Sequence, residues 1–113
     1  MKEIKATIQP HMLSKVVQAL HEIQHFPGMT VFKCQGQSRG RGAGGTFVVT
    51  EDGVLFHNKE RIEIICSDEC AEEVVTTILN NARTGNPGDG VITVCELATV
   101  TRIRTAESGD SAL

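Results

Sequence analysis

Residues 82–105 read Ala-Arg-Thr-Gly-Asn-Pro-Gly-Asp-Gly-Val-Ile-Thr-Val-Cys-Glu-Leu-Ala-Thr-Val-Thr-Arg-Ile-Arg-Thr, and the rest of the chain is organised around them. Gly85, Gly88, Asp89 and Gly90 predict a tight turn that closes a helix and opens a strand, because glycine reaches the positive φ such turns need. Val91 to Leu97 predicts that strand, and Val100 to Arg104 a short further extended piece. Arg102 and Arg104 lie two apart, so in an extended segment both guanidinium groups leave one face. A glycine turn beside paired arginines suits an anionic ligand such as a phosphate chain.

Upstream, Lys2 to Ile8 alternates apolar and polar residues as a half-buried strand does. Leu13, Val16, Val17, Leu20 and Ile23 keep the spacing of an amphipathic helix, which His25-Phe26-Pro27-Gly28 breaks. Met29 to Gln35 and Arg61 to Cys66 predict two more strands. Ala71, Val74, Val75, Ile78 and Leu79 predict a second helix, with Ser67 or Asp68 as its cap. The order strand-helix-strand, twice, is an α+β ferredoxin-like βαββαβ sandwich. A long glycine-rich loop over residues 37–58 separates strands two and three, and residues 106–113 form a small, polar tail expected to be mobile.

At 113 residues, 40% hydrophobic and 22% charged, the chain is sized for a single domain spanning 1–113. A formal charge of −3 argues against nucleic acid as a partner, since phosphate binding needs a clustered basic surface. There is no long apolar run and no signal-peptide core, so a cytoplasmic location is expected. The four cysteines, at 34, 66, 70 and 95, lie in or beside apolar runs without metal-type spacing, which predicts reduced and mostly buried thiols. Cys66 and Cys70 fall close together at a strand end and a helix start. A core role for that pair outweighs redox sensing.

The segment His21-Glu22-Ile23-Gln24-His25 matches H-E-x-x-H, in which two histidines one helical turn apart can share a metal. Pro27 ends the helix there and no third ligand lies nearby, so surface histidines are the expectation, with no metal site. No nucleophile, base and orienting group stand in a recognisable set, so no catalytic residues are assigned and the chain is not expected to be an enzyme.

The turn Thr84-Gly85-x-x-Gly88-Asp89-Gly90 followed by Arg102-Ile103-Arg104-Thr105 resembles the C-terminal signature of the PII signal-transduction proteins. Met1-Lys2-x-Ile4-x-Ala6-x-Ile8-x-Pro10, Gly28-Met29-Thr30-Val31 and Ile62-Glu63-Ile64 agree in order and spacing. The resemblance implies a homotrimer that binds ATP, ADP or AMP in clefts between subunits. It also implies regulation of a partner, such as a membrane transporter or a nitrogen- or carbon-metabolism protein, through the loop over 37–58, the family's T-loop.

Carried over by position, the resemblance assigns Gly36, Gln37, Ser38 and Arg39 to the loop base that contacts nucleotide. Thr30, Glu63 and Ile65 fall on the adenine and ribose side. Gly88, Asp89 and Gly90 match the phosphate turn, and Arg102 and Arg104 the phosphate arginines. Lys59 matches a lysine that pairs with the effector 2-oxoglutarate. Gly40 replaces the glutamine that helps hold Mg²⁺ and 2-oxoglutarate, Gln9 the strand-one lysine, and Val91 a phosphate-contacting lysine. The resemblance therefore does not carry 2-oxoglutarate sensing over, and a different small anion such as bicarbonate, near Gly40, Arg41 and Lys59, is the replacement considered. The chain has no tyrosine, so tyrosine uridylylation cannot regulate it. Thr46 to Phe56 is apolar enough for a hairpin turning at Asp52-Gly53, which can also be the part that docks on a partner. The alternative is a metal-binding ferredoxin-like trimer resembling the divalent-cation tolerance proteins.

Overall fold

A computed structural model describes residues 1–37, 48–49 and 55–113. Strand β1 runs Lys2–Ile8, helix α1 Leu13–His21, β2 Thr30–Gly36, β3 Val48–Val49, β4 Leu55–Cys66, α2 Asp68–Ala82 and β5 Gly90–Glu96. The main sheet has the order β2-β4-β1-β5, every neighbour antiparallel. This is the ferredoxin-like α+β arrangement that the alternating elements predict.

Period-two alternation decides which side of the sheet is covered. Ile4 stands opposite Ile64 and Ala6 opposite Ile62. All four are buried, and they form one core with Val16 and Leu20 of α1 and Val74 and Ile78 of α2. Their neighbours face the other way and are polar: Lys5 pairs in register with Glu63, and Thr7 with Arg61. On that face Lys5 lies 3.4 Å from Glu3, and Arg61 lies 3.8 Å from Glu63.

The structure departs from expectation in several places. Of the four thiols expected to be mostly buried, only Cys66 is; Cys34 and Cys70 are half-buried and Cys95, on the edge strand β5, is exposed. The third main strand, predicted from Arg61, begins at Leu55, because Asn58, Lys59 and Glu60 continue the ladder against β2 despite their polarity. Residues 55–58 of the predicted loop are thus strand. Val100 to Arg104 is not a strand. Thr101 makes an isolated bridge to Ser108, and the Ala106 amide donates to the Arg102 carbonyl at 2.8 Å, which closes a turn. Ser67 is the N-cap of α2, but its side chain makes no capping bond, and Asp68 accepts from the Met1 ammonium at 2.8 Å instead. Leu79 is not core; it is 48% exposed on α2. The predicted mobile tail contains a 3₁₀ turn, Gly109–Ala112.

The expected hairpin has a partial counterpart, since Val48 pairs antiparallel with Phe56 and Val49 with Leu55. Its turn at Asp52-Gly53 lies outside the described residues. The H-E-x-x-H segment cannot act as a helical pair, because α1 ends at His21 and His25 takes φ 61°. The His21 ring instead packs edge-on against Phe26 at 5.7 Å.

Candidate functional site

Two groups of candidate residues form, at opposite ends of β2. The first is built where β2 begins. Gly28, with φ 106°, turns the chain into the strand. Thr30 stands directly opposite Glu63, and both line a cavity of about 440 Å³ with Ile65 and Arg102. Ile65 is 38% exposed there, so the cavity joins an apolar surface to a carboxylate, a hydroxyl and a guanidinium.

Arg102 is aimed by the turn that follows β5. Its backbone amide donates to the Glu107 carbonyl at 2.9 Å, and its guanidinium donates to the Leu113 backbone oxygen at 3.1 Å. Leu113 lines the same cavity. Sequence reasoning missed this contribution, because a short polar tail carries no periodic signal. Arg104 sits exposed on the turn rather than beside Arg102 on a strand face. The expectation that both arginines leave one face rested on an extended backbone, and residues 103–105 form a turn instead.

The second group gathers where β2 ends. Gly36 and Gly88 both approach Lys59: a Cβ at Gly36 would lie 3.7 Å from its Cγ, and one at Gly88 would lie 3.6 Å from its Nζ and 3.1 Å from Gln9 Nε2. Lys59 is 5% exposed and its ammonium donates to the Gly88 carbonyl. Burial lowers its pKa, a shift that the nearby Asp89 charge opposes.

Asp89 is the anion of its own turn. It accepts from the Thr84 and Gly85 amides, each at 2.8 Å, and from the Thr84 hydroxyl. Burial alone would raise its pKa, but these hydrogen bonds, helped by Lys59, hold it below the usual aspartate value. The amides at Thr84 and Gly85 are therefore already satisfied. Gly90 is glycine for a different reason, since its φ is 105° and a Cβ would land 1.7 Å from the Thr7 carbonyl oxygen of β1. Its glycine identity serves strand packing.

Gln37 is exposed at the end of β2. Ser38, Arg39, Gly40 and Arg41 lie outside the described residues. The structure thus brings Thr30, Glu63, Ile65 and Arg102 together, and Gly36, Lys59 and Gly88 together. The six residue-to-residue steps from Thr30 to Gly36 put about 20 Å between the groups.

The family model described as "Nitrogen regulatory protein P-II" matches residues 1–107. The chain belongs to the P-II family. Its relatives include the nitrogen regulatory protein P-II of Klebsiella oxytoca, 41% identical over 113 residues that cover all of both chains. The nitrogen regulatory protein P-II of Rhizobium meliloti is 40% identical over the same complete span, and P-II 1 of Escherichia coli K12 is 41% identical. P-II proteins are regulatory signal transducers rather than enzymes, which agrees with the lack of a catalytic set in the sequence. No helix among the described residues is long and apolar enough to cross a membrane.

Proposed function

We propose that this P-II protein binds an adenine nucleotide between subunits of a homotrimer and signals its occupancy to a protein partner through the loop at 37–58. The observation that carries the reading is the convergence of Thr30, Glu63, Ile65 and Arg102 on one cavity. Ile65 offers an apolar surface for a base, Thr30 and Glu63 offer hydrogen bonds to base and ribose, and Arg102 offers a bidentate donor to phosphate. The glycine turn at Gly88, Asp89 and Gly90, with Gly36, Gln37, Ser38 and Arg39, supplies the phosphate side from a neighbouring subunit. The distance between the two groups within one chain favours such a shared site. Arg104, exposed on its turn, completes the phosphate contacts.

ATP, ADP and AMP share the features this site would read. Val91 in place of a lysine weakens the hold on the outer phosphates, which favours ADP or AMP. Gly40 offers no side chain to Mg²⁺ or 2-oxoglutarate, so a smaller anion such as bicarbonate, beside Arg41 and Lys59, is the effector that fits this chain. The regulated partner is a membrane transporter or a nitrogen- or carbon-metabolism protein, and the setting is cytoplasmic.

Calorimetric titration of ATP, ADP and AMP, each with and without 2-oxoglutarate or bicarbonate, tests the site, with light scattering to read the trimer. Saturable binding at one nucleotide per subunit is the expected result. A trimer that binds none of the three would refute the nucleotide reading, and a monomer would refute the shared cleft.

A further inference from the structure

Two thiols meet where β4 hands over to α2. Cys66 is the last residue of β4 and is 1% exposed within the core. Cys70 lies in the first turn of α2, half-buried and packed against the same core. Both side chains line one cavity of about 560 Å³ with His25, Glu69 and Arg102. Both thiols are free. The junction is short, with Ser67 as the N-cap and the Cys70 amide donating to the Ser67 carbonyl at 3.2 Å, so the backbone holds the pair in place.

We propose that Cys66 and Cys70 form a reversible disulfide site whose substrate is a small-molecule disulfide, with Cys70 as the entry thiol and Cys66 as the resolving thiol. Accessibility sets the order. Cys70 borders solvent through the cavity, whereas Cys66 is enclosed. The Cys70 thiolate attacks one sulfur of the small disulfide, forming a mixed disulfide and releasing one small thiolate. The Cys66 thiolate then attacks the Cys70 sulfur, closing the internal disulfide and releasing the second small thiolate. Two protein protons are lost, two electrons pass to the small disulfide, and no other reactant is needed.

Burial pushes the Cys66 thiol up to about 11, and burial followed by the Glu73 charge raises Cys70, so the exchange is slow at neutral pH and quickens in base. Attack at Cys70 needs only a small, solvent-borne S–S bond, and oxidised glutathione supplies one. Arg102 borders both this cavity and the one it shares with Thr30 and Glu63. Closing the thiol pair therefore alters a wall next to a residue of the proposed nucleotide site.

The test treats the full chain with oxidised glutathione at pH 8, quenches with acid, and maps each cysteine by differential alkylation and mass spectrometry. A Cys66–Cys70 crosslink that dithiothreitol reverses is the expected product. Cys66→Ala should stop at one glutathione on Cys70, and Cys70→Ser should leave Cys66 unmodified. The proposal is overturned if the wild type stops with glutathione on Cys70, or if only Cys34 and Cys95 react. Modification of Cys66 in the Cys70→Ser protein would also overturn it. None of these readouts depends on nucleotide binding.

Discussion

The Asp89 carboxylate accepts the backbone amide of Thr84 at 2.8 Å, making the turn before β5 a closed hydrogen-bonded ring. A glycine-rich turn read from sequence suggests free amides waiting for a phosphate. Here Thr84 and Gly85 are already held by an internal anion, which keeps the turn in shape without a ligand.

Asp89→Asn should therefore loosen the turn and cost about 1 kcal/mol. The native carboxyl is held below its usual pKa, so its contribution is present above the ordinary aspartate value and fades as pH falls through the native one. Urea unfolding from pH 6 down to pH 2 should show the wild type losing this increment while Asp89→Asn does not. Parallel curves would refute the assignment.

Gly90 and Gly85 both take positive φ, yet only Gly90 abuts β1. Gly90→Ala should lower stability by about 3 kcal/mol, from a left-handed backbone and a clash with Thr7. Gly85→Ala, with open space around it, should lose about 1 kcal/mol. Thermal melts of the two variants separate packing from backbone strain, and equal losses would contradict the geometry.

Cys66 offers an alkaline signature. Its thiol is raised from 9.0 to about 11, so it stays protonated in the folded chain where the unfolded chain ionises. Stability is thus intact below about pH 9 and declines as pH rises toward 11, by roughly 2 kcal/mol for this group. Cys66→Ala should begin less stable and show a flatter alkaline limb. Equal slopes in urea titrations at pH 8 to 11 would count against a buried, raised thiol.

Arg102 reaches the cavity shared with Thr30 and Glu63, whereas Arg104 is exposed on its turn. Arg102→Ala should weaken ADP binding about 10- to 100-fold, the range for one lost charge-assisted contact. Arg104→Ala should lose less. Calorimetry on the two proteins decides this, and a larger loss at Arg104 would reverse the ranking.

The alternating Ile4, Ala6 and Ile8, and the helical spacing of Val16 and Leu20, made the core legible, because burial acts on side chains at fixed local periods. The same logic placed Leu79 in the core wrongly. Helical spacing marks a stripe, but only the neighbouring layer decides how much of that stripe is covered. Lys59 and Glu60 were unreadable as strand for the converse reason, since backbone pairing with β2 carries them through a polar stretch.

By itself the sequence determined the order of the main strands and helices, the apolar stripe that supplies most of the core, and membership of the P-II family, since these follow from local pattern and motif. Tertiary structure alone decided that Arg102 meets Thr30 and Glu63 at one cavity, and that Lys59 turns inward to Gly88. Such contacts depend on strand register and on how a turn closes. Register is fixed by hydrogen bonds between residues far apart in the chain, and the turn at Arg102 by main-chain bonds to Ala106 and Glu107 that no periodic pattern records.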